Sequence, residues 1–84
     1  MQVATRIREY LVTEFPFADP GALTFETRLL GGPIDSLGLM QLVAFVEDEF
    51  GVTFDYGDLT AEHFRTIQDI ERLVLAKQRD ARAS

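Results

Sequence analysis

The sequence contains no cysteine, which excludes disulfide cross-links, thiolate metal sites and a cysteine nucleophile. With a single histidine, His63, it has no basis for a histidine-rich metal centre. Long apolar runs are also missing. None approaches the roughly 20 residues that cross a bilayer as a helix. Arg6 and Arg8 near the N-terminus are not followed by the apolar stretch of a secretion signal. The expected location is therefore cytoplasmic. Basic residues are scarce: 8 Lys and Arg face 14 Asp and Glu, for a net charge of −6. Such a surface repels the phosphates of nucleic acid and anionic lipid, so neither is an expected partner. It suits brief encounters with basic protein surfaces, although solubility alone accounts for the same charge.

What is present is one domain's worth of chain, 84 residues with an apolar fraction of 46%. Without staples, a chain this short must hold together by economical packing. Val3, Ile7, Tyr10, Leu11 and Phe15 recur at helical spacing and predict an amphipathic helix over Gln2 to Phe15, ended by Pro16. Asp19-Pro20-Gly21 signals a turn. From there to Asp35 the periodicity lapses into a long loop, pinned by Leu23, Phe25, Leu29 and Leu30 and broken by Gly31-Gly32-Pro33. A second helix is expected from Ser36, as its N-cap, to Phe50, with Gly51 closing it. A short helix near Thr60 to Phe64 follows. Thr66 opens the last long helix, whose apolar stripe is Ile67, Ile70, Leu73, Val74 and Leu75, with Asp69 completing capping-box spacing. The fold class read from this pattern is all-α: a small four-helix bundle of three long helices and one short, with a long loop between helices one and two. Residues 1–76 form the domain, and residues 77–84 a polar, flexible tail.

The junction Gly32-Pro33-Ile34-Asp35-Ser36-Leu37-Gly38 carries the chemistry. A serine at the start of a helix sits where unpaired N–H groups favour a negative charge, so a phosphate on its oxygen would be well placed. Asp35 sets a carboxylate beside that hydroxyl. There it could help to hold a divalent metal on an incoming pyrophosphate, or simply favour the positive helix end. Behind this point Leu39, Leu42, Val43, Val46 and Phe50 form a core face with Phe45 at its margin. Leu37, Met40, Gln41, Ala44, Glu47 and Asp48 lie on the other side. Two apolar residues and two acids beside a special serine suggest a docking surface. Scattered surface apolars and a solvated acidic face are the plainer reading.

Asp35-Ser36-Leu37, followed by a helix that ends in Glu47-Asp48-Glu49-Phe50-Gly51, resembles the acyl carrier protein family. The tripeptide alone is weak, but the likeness runs along nearly the whole chain. It implies that Ser36 receives 4′-phosphopantetheine from coenzyme A through a phosphopantetheinyl transferase, with Asp35 assisting. It also implies that the arm's thiol carries a substrate as a thioester, which fits a chain lacking a sulfhydryl of its own. Leu37, Met40, Ala44, Glu47 and Asp48 would be read by partners: the transferase, a loading ligase or transferase, and a downstream acceptor enzyme. The carrier itself would be non-catalytic and monomeric. Gly38 departs from the acid that fatty-acid-synthesis members place two residues after the serine, and Gln41 replaces another commonly acidic position. Both make the docking face less charged, which implies partner binding less sensitive to salt. Gly32-Pro33-Ile34-Asp35-Ser36 followed by Leu37-Gly38 looks more like discrete carriers of aminoacyl or specialised acyl groups.

Two other readings follow from the same residues. An unmodified adaptor would keep the acidic helix face and use Ser36 only as a cap. A small hydrolase would pair Ser36 with His63, but no third orienting group or oxyanion site accompanies them. The phenylalanines from Phe15 to Phe64, Phe17 among them, and Tyr56 are expected to pack in or against the core.

Overall fold

A computed structural model describes residues 2–15, 20–32 and 34–83. The expectations for Pro16, Phe17, Asp19, Pro33 and Ser84 lie outside these residues. Three α-helices make the framework: α1 over Gln2–Glu14, α2 over Ser36–Phe50 and α3 over Ile67–Ala83. Among the described residues the only extended pairing is an isolated bridge between Leu30 and Ile34. The chain is all-helical, as the periodicity implied. The fourth, short helix is not found. Residues 60–66 instead form turns. Side chains there compete for the backbone. The ring Nδ1 of His63 lies 2.9 Å from the Asp58 carbonyl and 3.1 Å from the Thr60 hydroxyl, which also accepts the His63 N–H.

Each helix buries the stripe its spacing dictates. Ile7 and Leu11 of α1 are buried with Ala4, a small residue that lets α1 lie close to its neighbours. Leu42, Val43 and Val46 of α2, and Ile67, Ile70, Leu73 and Val74 of α3, complete the core. Leu75 does not join them. It is 44% exposed, because five successive stripe positions cannot all face inward at 100° per residue. Tyr56 is 95% exposed, on a turn that leads away from the core, so it too departs from its expected packing. No polar or charged residue is buried among the described residues.

Helix ends are set by local chemistry. Gly51 adopts the left-handed region (φ 65°, ψ 36°) and its N–H reaches the Glu47 carbonyl, closing α2. Thr66 caps α3 by accepting the Asp69 N–H at 3.1 Å. The shorter Asp69 carboxylate returns to the Thr66 hydroxyl at 3.0 Å, where the usual Glu or Gln would reach the backbone. The first turn of α1 is completed from another helix, with the Ala4 N–H donating to Glu71 Oε2 of α3 at 3.1 Å. Beyond the expected boundary at residue 76, α3 continues through Ala83. Lys77 Nζ meets Asp58 Oδ2 at 2.6 Å, and Gln78 donates to the Phe50 carbonyl at 3.4 Å.

The long loop is ordered by backbone ties. It opens with a 3₁₀ turn at Pro20–Ala22. Arg8 Nε donates to the Leu23 carbonyl at 2.8 Å. The Gln68 N–H donates to Phe25 (3.0 Å) and the Leu29 N–H to Arg65 (2.9 Å), so the loop is stitched to the segment that leads into α3. Leu23 and Leu29 are buried beneath it. The Ile34 N–H donates to the Leu29 carbonyl at 3.1 Å, and Gly31 turns the chain at φ 83°. The same bonds that fix the loop thus deliver Asp35 and Ser36 to the start of α2.

Candidate functional site

The start of α2 differs from the sequence expectation in one consequential detail. Asp35, not Ser36, is the N-cap. Its backbone is extended (φ −92°, ψ −176°), and its Oδ1 accepts the Gly38 N–H at 2.8 Å. The Asp35 carbonyl takes the first helical bond, from the Leu39 N–H at 2.9 Å. Ser36 is therefore the first residue inside the helix. Its hydroxyl makes no hydrogen bond among the described residues, and the residue is exposed. A carboxylate is a sufficient cap, since it also suits the positive end of the helix. The serine oxygen is left available for chemistry.

Gly38 lies two residues on, on the inward side of the helix. It is buried, and a Cβ built on it would stand 2.8 Å from Phe15 Cε1, 3.0 Å from Ile34 Cγ2 and 3.3 Å from Asp35 Oδ1. Glycine in a helix interior costs about 0.5–1 kcal/mol relative to alanine. Here the close approach of Phe15 and Ile34 requires it. Residue 38 thus lies on the inward side of α2, so the absence of a charge there is not a feature of the exposed face.

The remaining expected site residues occupy the outer face of α2. Leu37 is 69% and Met40 56% exposed, and Gln41, Ala44 and Asp48 are exposed beside them. Glu47 is half-buried and already engaged, its Oε2 accepting the Phe54 N–H at 2.8 Å. Its carboxylate therefore anchors the segment after α2, a role its place in the acidic run concealed. Along the other edge of α2 a line of rings faces α1. Phe15 meets Tyr10 edge-on at 6.1 Å, Tyr10 stacks on Phe45 at 4.0 Å, and Phe45 meets Phe50 edge-on at 6.4 Å. Burial and then the Glu14 carboxylate push the Tyr10 hydroxyl above its ordinary pKa.

No group of three His, Asp or Glu side chains among the described residues could hold a metal ion. No helix among them is long and apolar enough to cross a membrane. His63 is occupied by Asp58 and Thr60 as described, and no hydrogen bond joins it to Ser36.

Residues 5–74 match the family described as "Phosphopantetheine attachment site", and the chain belongs to that family. A curated relative, "Aminoacyl carrier protein 2" of Bradyrhizobium diazoefficiens, is 34% identical over 50 residues, a stretch covering 60% of this chain and 56% of that protein. The aligned region thus spans little more than half the relative's length. Among solved structures, one similar chain belongs to a crystal structure of engineered Bradyrhizobium japonicum glycine:carrier protein ligase complexed with carrier protein from Agrobacterium tumefaciens and ATP. It has a TM-score of 0.75 at 25% identity, covering 88% of this chain and 97% of that one. A second belongs to the Bradyrhizobium japonicum ligase complexed with glycylated carrier protein. Its TM-score is 0.67 at 24% identity, with 86% and 93% covered, and it shares the fold.

The protein is accordingly a carrier protein, and the cofactor of its family is covalently attached 4′-phosphopantetheine. The residues at the start of α2 fit such a group. An exposed hydroxyl with no hydrogen-bond partner among the described residues stands on a first helical turn whose N–H groups favour a phosphate.

Proposed function

We propose that this chain is a discrete carrier that holds an aminoacyl group on a phosphopantetheine arm attached to Ser36 and delivers it to partner enzymes. The observation that carries the reading is the division of labour at the start of α2. Asp35 caps the helix through Gly38, leaving the exposed Ser36 hydroxyl with no structural duty. When attached, the arm supplies the thiol that the cysteine-free chain lacks.

The protein's own residues bind and orient. Asp35 and the Leu29–Ile34 bond fix the first turn on which Ser36 stands. Leu37 and Met40 offer exposed apolar contacts beside it, and Asp48 and part of Glu47 add negative charge to the same helix. We assign this face to three successive partners: a phosphopantetheinyl transferase, a loading enzyme and an acceptor enzyme. An amino acid as cargo is supported by the aminoacyl carrier relative and by the neighbour found with a glycine:carrier protein ligase. Such a ligase is the proposed loading enzyme. The chain itself then has no catalytic task.

Intact-protein mass after incubation with coenzyme A, magnesium and a broad-specificity transferase tests the reading. The expected result is a gain of one phosphopantetheine in the parent and none in Ser36→Ala. A folded parent that gains nothing from several transferases would leave an unmodified interaction module instead.

A further inference from the structure

We infer that Gly38 and Phe15 form a steric gauge on the inward side of the turn that carries the attachment serine, in which the ring edge of Phe15 occupies the volume of a residue-38 side chain and, through the Asp35 cap, sets the orientation of that turn and of Ser36 on it. The inference rests on the reading of Ser36 as the attachment residue and names two positioning residues for that site.

Three observations meet here. The ring edge, Ile34 and the capping carboxylate all crowd the missing Cβ, at 2.8, 3.0 and 3.3 Å. A side chain at residue 38 would therefore press on the ring, on the residue leading into the helix and on the cap itself. Second, the ring is met on one side by a fixed neighbour. Tyr10 meets it edge-on at 6.1 Å and is itself stacked on Phe45 at 4.0 Å. Third, Gly38 donates the hydrogen bond that Asp35 receives, so displacing residue 38 strains the cap that holds the first turn. Ser36 stands on that turn and has no hydrogen bond among the described residues to restore its direction. The aromatic line along α1 and α2 thus ends as a wedge against Gly38, on the inward side of the turn that carries the serine.

Attachment forms a bond from Ser36 Oγ to phosphorus and breaks the pyrophosphate bond of coenzyme A. Adenosine 3′,5′-bisphosphate leaves, and the serine proton passes to the transferase. A nucleophile turned away from its line of attack reacts more slowly even when bound, and small misplacements are costly. The signature of lost positioning is a fall in kcat with the carrier's KM little changed. Partial unfolding instead dilutes the competent carrier, raising apparent KM and sparing kcat.

The test compares the parent, Ser36→Ala, Gly38→Ala, Phe15→Leu and the double variant Phe15→Leu/Gly38→Ala as transferase substrates, with circular dichroism confirming folding. Gly38→Ala is expected to lower kcat on the order of tenfold, at a KM within about twofold of the parent. Shortening the ring removes the closest of the three contacts, so the double variant should react about as fast as Phe15→Leu alone. If Gly38→Ala alone does not fold, the comparison of the double variant with Phe15→Leu decides. Equal rates support the gauge, and a further tenfold loss in the double variant overturns it. A folded Gly38→Ala that accepts the arm at the parent rate, or one that loses only KM, overturns the gauge while leaving Ser36 as the attachment residue. A parent that takes no arm, or a Ser36→Ala variant that still takes it, overturns the Ser36 reading and the gauge together.

Discussion

At the scale of single residues, the start of α2 separates two jobs that one serine could have done. Asp35 satisfies the orphan N–H of Gly38, so Ser36 is free of the fold. Ser36→Ala should therefore change stability by less than about 0.5 kcal/mol. Asp35→Ala should cost about 1 kcal/mol through the lost cap. Urea unfolding of the two variants checks both. Equal losses would mean that the serine shares the capping after all. This contrast also sharpens any loss of function in Ser36→Ala, since weakened folding could not explain it. Reading a serine before an apolar run as the cap follows a sound rule. It misassigned this one by a single residue because an adjacent aspartate competes for the same N–H.

At the scale of elements, the turns after α2 are tied to the far half of α3. Asp55 and Asp58 each accept the other's backbone N–H, at 3.1 and 3.0 Å. Lys77 Nζ then clamps the pair, 2.6 Å from Asp58 and 3.9 Å from Asp55. Hydrogen bonding from Lys77, then from the Asp55 backbone, holds the Asp58 carboxyl below its ordinary pKa. The same bond raises Lys77 above its ordinary value. A depressed carboxyl contributes stability above its unfolded pKa and loses it as pH falls through the folded one. A raised ammonium contributes below its unfolded pKa and loses it as pH rises through the folded one. The clamp is thus present across neutral pH and released in acid and in strong alkali. Asp58→Asn should flatten the acid side of the stability profile, measured by thermal melting from pH 7 downward. Lys77→Met should flatten the alkaline side as well. An unchanged acid limb in Asp58→Asn would show that solvent screens the pair completely. These bonds also account for the extent of α3. Composition makes residues 77–83 look like a tail, but Lys77 and Gln78 find partners on the turns and on α2. Such long-range partners have no local pattern.

At the scale of the whole molecule, the net charge of −6 is the property that partners meet first. Loading by the proposed ligase should slow as ionic strength rises, since steering between exposed charges is screened beyond about 10 Å at 0.1 M salt. A fall in association rate on the order of tenfold between low salt and about 0.5 M is expected. Stopped-flow binding measures it, and a salt-independent rate would shift the recognition to Leu37 and Met40. Because Glu47 is partly spent on Phe54, the charge available on α2 is smaller than its acidic sequence suggests.

Legible in the residues alone were the helical class, the stripes of α1 and α2, that of α3 apart from Leu75, and the closure of α2 at Gly51. All of these depend on spacing and on turn chemistry, which act within a few residues. Only the tertiary structure decided the rest. The order of the long loop comes from bonds to Arg8, Arg65 and Gln68. The turns at residues 60–66 replaced a helix because Asp58, Thr60 and His63 close on one another. Gly38 proved to be a packing requirement, since only the folded chain brings Phe15 and Ile34 beneath it. Contacts between residues distant in sequence are paired by the core as it forms, and local pattern carries no record of which pairs will meet.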